Sequence, residues 1–517
     1  MTSEAGMNQG PGIAIEGAER GEGIFRRRGS CMPSRLQVRS VFLLVALVIA
    51  SLSIANYVGW LRLKPEVSAV AWIGGKADYE SHQVNIHQRA LDRLQPGAID
   101  AYLPIYDVQN PGLFLLVAEL VTRAGATTPL PLEILSIVLF NIGALCFFGW
   151  VYLLFGDLIV AAFATAFLAL SQFFLFFPGT THTMPFEFAL FNVTLLLFIL
   201  YLKNNRPAFL AGALVAMFLT CMNYWFYYMS SWIIMVGLWW QYRGRPRIRD
   251  IALLSAPPIA AASATIIMVM SLYGGVKSGG MRLLDIFAAR TVDARIPGGT
   301  WYANQKFMFA AEWSNYPSLV AYRLEWAFTF NFVWFALAAG CALVLLWFRK
   351  RNSAISALIL LAGGFSWYYV MFQHTHIHHF TGQYSFMAIC PIFGLIVSEV
   401  TTSAQSFFRL LRQPFTSARY QAFLVPRRLG LNVAAAILIV AASYLTTDYV
   451  KKTYGLVRQT LALSRVVQAK YRQAVNDICQ QHSKVTLADL QQASSAWGID
   501  WRAKQLADTN QLPQCPG

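Results

Sequence analysis

The side chains able to move protons or hold ions near neutral pH are carboxylates and imidazoles, and this chain gathers them in a few stretches. Residues 77–111, ADYESHQVNIHQRALDRLQPGAIDAYLPIYDVQNP, hold Asp78, Glu80, His82, His87, Asp92, Asp100 and Asp107, although only 13% of the 517 residues are charged. A second group is HTHIHH, with His374, His376, His378 and His379. His374 and His378 share a face if the segment is helical, and neutral imidazoles ligate transition metals. No cysteine accompanies them and the spacing is not that of a known zinc site, so contact with a phosphate or sugar, a metal site and plain boundary residues all stay open. A third group, GTTHTMPFE, contains Thr181, His182 and Glu187. Glu187 falls about one turn into an apolar run, where a carboxyl group is costly unless it faces a polar cavity or a partner.

The elements that carry these groups follow from composition. The chain is 56% hydrophobic and 14% aromatic, with a mean hydropathy of +0.46. Repeated apolar runs of about 20 residues, each able to cross about 30 Å of hydrocarbon, predict an all-α polytopic membrane protein. A net charge of +16 would point to nucleic acid in a soluble protein. Here the Lys and Arg excess sits in short connectors and the N-terminal tail, the pattern that sets membrane topology, and no nucleic-acid partner is expected.

Taken in order, the sequence predicts a disordered cytoplasmic tail at 1–40, a membrane domain at 41–447 and a small extracytoplasmic helical region at 448–517. The first span, Val41 to Leu61, follows Arg26, Arg27, Arg28, Arg35 and Arg39, which keep the N-terminus inside. The acidic interval then lies outside, in a loop of about 63–131 whose apolar piece Gly112 to Thr122 is too short to cross. Spans are expected at Leu132 to Phe155, Leu158 to Phe177 and Phe186 to Leu202. Two short ones follow between Pro207 and Gln241, with a hinge at Met222, Asn223, Tyr224 and Trp225. Further spans at Ile251 to Tyr273, Trp326 to Phe348, Ser353 to Phe372, Gln383 to Val400 and Leu431 to Tyr444 bring the total to about 11. A second outer loop, about 274–325, carries Arg282, Arg290, Arg295 and Lys306 among Asp285, Asp293, Glu312 and Glu325. All eight His residues fall on or beside the outer face in this topology. Cys479 and Cys515 lie in the outer tail and can pair in an oxidising compartment.

A first span, then D-x-E at Asp78 and Glu80, then YDVQNPGLFLL at Tyr106 to Leu116 resembles the GT-C membrane glycosyltransferases, which include protein O-mannosyltransferases and lipid A aminoarabinose transferases. The proline motif departs from the family form: Asn110-Pro111-Gly112 stands where a His-Pro-Pro type sequence is common. The resemblance implies a lipid-linked sugar donor, such as a polyprenyl phosphate sugar, and chemistry on the outer face of a membrane such as the bacterial inner membrane. Asp78 would be the base that deprotonates an acceptor hydroxyl as its oxygen attacks the anomeric carbon. Glu80 would support it or bind a divalent cation, Mg or Mn. The leaving phosphate needs cationic rather than acidic help, for which Arg282, Arg290, Arg295 and Lys306 are candidates. His182, Glu187, His374, His376, His378 and His379 would face the substrate, and Tyr224 and Trp225 offer faces for sugar stacking, although interfacial aromatic residues are usually anchors. The rivals are a transporter or flippase of a lipid-linked or anionic solute, which predicts broken helices at mid-membrane and an internal repeat, and a polysaccharide polymerase or ligase.

Overall fold

A computed structural model gives the fold. It describes most of residues 40–46, 113–174, 183–291, 316–411 and 430–452, and short pieces around 473–486 and at 515. Among the described residues the chain is helical and has no strand. Among these residues six helices are long and apolar enough to cross a membrane: Ile134–Phe155, Thr183–Asn204, Ile248–Ser271, Phe332–Arg349, Arg351–Val370 and Thr381–Gln405. The molecule is an all-α integral membrane protein, since only helices satisfy every backbone polar group within a single apolar segment.

In chain order the helices are α1 (Leu113–Arg123), α2 (Leu130–Phe155), α3 (Leu158–Ala169), α4 (Thr183–Asn204), α5 (Pro207–Cys221), α6 (Phe226–Arg243), α7 (Ile248–Leu272) and α8 (Val276–Thr291). They continue as α9 (Tyr316–Phe328), α10 (Phe332–Arg349), α11 (Arg351–Val370), a 3-10 helix (His379–Ser385) and α12 (Phe386–Leu411). A further apolar helix spans Val433–Tyr449. The span that ends in α12 is the most enclosed, with 78% of its apolar window buried against 28% for α7. It packs on α3, α10 and α11, while α4 packs between α2 and α5. Phe147, Phe188, Phe191 and Phe386 join α2, α4 and α12 through ring contacts of 5.1 to 6.0 Å. The Trp150 indole donates to Asn192 Oδ1 across the buried α2–α4 contact at 2.8 Å.

The helix breaks fall largely where the sequence puts them. Gly156 takes φ +65°, and Asp157 caps α3 by accepting from the Ile159 and Val160 amides. The hinge at 222–225 separates α5 from α6. Two expected spans need correction. The run Trp326 to Phe348 is interrupted: Thr329 has φ +54°, Asn331 caps α10 by accepting from the Trp334 amide, and Glu325 Oε1 accepts from the Phe332 amide at 2.7 Å. Side chains at 325 and 331 thus satisfy the amides of a new helix start, and Trp326 belongs to α9. The run expected from Leu158 to Phe177 is helical in α3 only to Ala169, where the Ser171 hydroxyl accepts from the Phe174 amide at 3.2 Å and offers the backbone an alternative to continued helix.

One end of the bundle collects the basic connectors. Arg243 donates to the Tyr201 and Leu202 carbonyls, Gln241 donates to the Asn352 carbonyl, and Tyr242 reaches the Leu154 carbonyl. Lys350 pairs with Asp157 at 3.6 Å, and the Ser398 hydroxyl donates to the same carboxylate at 2.7 Å. Arg349 pairs with the buried Glu399 at 2.8 Å. The connectors at 156–157, 204–206, 243–249 and 349–351 therefore meet at a single end, as charge-governed topology requires. Arg349→Met is expected to lower stability by about 3–5 kcal/mol because it strands the Glu399 carboxylate. Adding Glu399→Met should recover most of the loss, measured as the thermal midpoint in detergent.

Cys479 and Cys515 are joined as a disulfide. Non-reducing mass spectrometry of the tail peptides should return the linked pair, and two free thiols would contradict it.

Candidate functional site

The end opposite the basic connectors holds a cluster of buried polar atoms with no hydrogen-bond partner among the described residues. It is assembled from the start of α4, the hinge at 222–225 with the first turn of α6, and the 3-10 helix that leads into α12. Glu187 lies one turn into α4 and is 1% exposed. The Thr183 hydroxyl approaches it from the preceding turn, yet neither carboxyl oxygen has a hydrogen-bond partner among the described residues. Met184, Tyr227, Gln383, Tyr384 and Phe386 complete a narrow crevice around it, too tight for a water molecule. Gln383 is 1% exposed. Its amide nitrogen donates to the Met184 sulfur, which leaves Oε1 without a donor. Buried polar atoms almost always find partners, so a carboxyl group and an amide oxygen left open in one crevice require a reason.

Aromatic residues hold the crevice walls. Tyr384 stacks on Phe226 at 4.3 Å and on Tyr224 at 5.7 Å, and Tyr227 meets Phe191 at 5.0 Å. Tyr224 is therefore a packed wall residue, 5% exposed, whereas Trp225 is half-buried and stacks on Tyr228. The hinge residue Asn223 is fully buried, and both of its amide atoms lack partners.

Two outer elements close on this end. The Leu113 amide of α1 donates to the Met222 carbonyl at 2.9 Å, and Phe114 packs edge-on against Phe186, the neighbour of Glu187. The chain that follows the acidic interval thus joins the bundle beside Glu187. From the other side, α9 clasps the 3-10 helix. Arg323 donates to the Thr375 carbonyl at 3.2 Å, Tyr316 donates to the Tyr368 carbonyl at 2.5 Å, and Tyr368 donates to the Thr381 carbonyl at 3.2 Å. Burial pushes the Tyr316 hydroxyl up to about 12 and draws the Arg323 guanidinium below its ordinary value. The tyrosine keeps its proton at neutral pH, so its hydroxyl remains a donor. A Cβ added at Gly382 would strike the Arg323 carbonyl, and Gly382→Val is expected to release α9 from the 3-10 helix. Hydrogen exchange should then speed up at residues 379–385.

Of the residues singled out in the sequence, Glu187, Tyr224 and Trp225 come together at this end. Arg282 and Arg290 lie on α8 and His379 opens the 3-10 helix, but their side chains are outside the described residues. Asp78, Glu80, His182, Arg295, Lys306, His374, His376 and His378 also lie outside them. Among the described residues no group of three His, Cys, Asp or Glu could hold a metal ion. Gln383 and Tyr384 were not picked out from sequence. The signal for Gln383 is the one that marks Glu187, a long polar side chain in the first turns of an apolar span.

No protein-family model matches the sequence, and no curated protein is similar to it. Fold and site together define a class: an integral membrane protein, helical throughout the described residues, with a buried carboxyl group that has no hydrogen-bond partner among them at the end of its bundle away from the basic connectors.

Proposed function

We propose that the protein is an integral membrane glycosyltransferase of GT-C type, with about 11 spans, acting on the extracytoplasmic face of a bacterial inner membrane. It would move a sugar, with inversion, from a polyprenyl-phosphate-linked donor to a lipid, glycan or protein acceptor. The observation that carries this reading is the position of Glu187. A carboxyl group buried without a hydrogen-bond partner among the described residues, between tyrosines and at the end opposite the basic connectors, suits recognition of a polar headgroup whose lipid tail lies in the bilayer. The helix that follows the acidic interval in sequence, α1, joins the bundle at that same end. Asp78 serves as the base, Glu80 supports it or binds Mg or Mn, and the cations of the loop at 274–325 offset the charge on the departing phosphate.

A transporter or flippase is the second reading, favoured by the interrupted backbone at 222–225 and 379–385. Both interruptions lie at helix ends beside the crevice, however, rather than in mid-helix as alternating access through broken spans would require.

The test is transfer of labelled sugar from a panel of polyprenyl phosphate donors in purified membranes, comparing wild type with Asp78→Asn and Glu80→Gln. Transfer lost at unchanged protein level supports the reading. Equal transfer in all three, or none with any donor, moves the weight to the transporter.

A further inference from the structure

We infer that Glu187 and Gln383 form a subsite for the ring hydroxyls of a sugar, and that this subsite rejects phosphate. The inference rests on the transferase reading for its biological meaning but on the crevice for its chemistry. Three atoms of the crevice have no hydrogen-bond partner among the described residues: Glu187 Oε1, Glu187 Oε2 and Gln383 Oε1. The Gln383 NH2 is turned to the Met184 sulfur, and no Lys or Arg lines the crevice. The Tyr227 and Tyr384 hydroxyls line the same crevice, so acceptors and donors stand side by side without a cation, a set matched by a neutral ligand whose groups both donate and accept. Neighbouring hydroxyls on a pyranose each donate and accept, so Glu187 and Gln383 can each take one. A phosphate would bring negative charge into a low-dielectric crevice with no lining cation to pair it, which is costly.

The walls fit the same ligand. Tyr227, Tyr384 and Phe386 give the apolar faces on which the C–H side of a sugar ring packs. A divalent cation is a poorer match, because it takes six or more oxygen ligands and the crevice supplies one carboxyl group and one amide oxygen. The crevice has no room for a ring as it stands, so binding displaces one wall. The 3-10 helix is the wall built to yield, since its hydrogen bonds are poorer than those of an α-helix and it carries Gln383 itself.

The experiment uses the full chain in lipid nanodiscs, titrated with a panel of octyl pyranosides and, in parallel, with octanol, octyl phosphate and MgCl2. Tryptophan fluorescence and the thermal midpoint report binding. At least one octyl pyranoside should bind saturably, above octanol and above octyl phosphate. Glu187→Gln and Gln383→Leu, each first shown to keep the wild-type midpoint without ligand, should weaken that binding by about 10- to 100-fold. Octyl phosphate binding best, MgCl2 alone giving the response, or pyranoside affinity unchanged in both variants would each overturn the inference. Its failure is separable from that of the transferase reading. Pyranoside bound through Glu187 with no donor consumed leaves the subsite standing without the enzyme; donor consumed by Glu187→Gln at the wild-type KM leaves the enzyme standing without the subsite.

Discussion

Asp78→Asn is expected to lower the rate of sugar transfer by about 100- to 10,000-fold, the span usual for loss of a positioned general base. Asparagine keeps the shape of the side chain and its hydrogen-bonding oxygen but cannot accept a proton from an attacking hydroxyl. The loss should therefore appear in kcat, with donor affinity close to that of wild type, because the interaction removed develops only as the acceptor oxygen attacks. Glu80→Gln should act differently. If Glu80 supports the base, the cost is smaller and independent of added cation; if it binds Mg or Mn, excess cation restores part of the rate. Asp78→Asn transferring within threefold of wild type would remove Asp78 from the chemistry.

Gly394→Leu is expected to prevent α12 from seating on α3. A Cβ at Gly394 would lie 2.3 Å from the Val160 carbonyl oxygen and 3.0 Å from its carbon. These are backbone atoms that no rotamer change can move. Small residues let helix backbones approach in membrane proteins, where association depends on packing rather than on hydrophobic transfer. Gly394→Ala alone should cost about 1–3 kcal/mol by overpacking, read as a lower thermal midpoint in detergent. Leucine should leave little folded protein. Gly340→Ala on α10 is the control, because nothing lies within 4 Å of its new Cβ and alanine is the better helix former.

Much of the fold was legible because a bilayer makes few demands and makes them loudly. Apolar runs marked the helices, and Asn204 to Arg206, Arg243 to Arg249 and Arg349 to Arg351 marked the end at which their connectors meet. The hinge at Met222 to Trp225 was visible as polar residues between two apolar runs. What escaped was set by single side chains. The break before Phe332 depends on Glu325 and Asn331 each accepting from a backbone amide, which the apolar pattern around Trp326 conceals. The candidate site was legible in Glu187, whose cost in an apolar segment shows in sequence. Its partner Gln383 was not, because the two lie 196 positions apart and only packing of the 3-10 helix against α4 brings them into one crevice. Tyr224 shows the opposite case. Its place in an aromatic hinge suggests a stacking face, and in the fold one face of the ring is stacked on Tyr384.

The most direct measurement is the fate of the bond between sugar and phosphate when the purified protein is reconstituted into vesicles with a labelled polyprenyl phosphate sugar and an acceptor extract. Label appearing on an acceptor, with one free polyprenyl phosphate formed for each sugar transferred and neither seen with Asp78→Asn, is the expected result. Label that crosses the bilayer still attached to its prenyl phosphate would contradict it and make the protein a flippase.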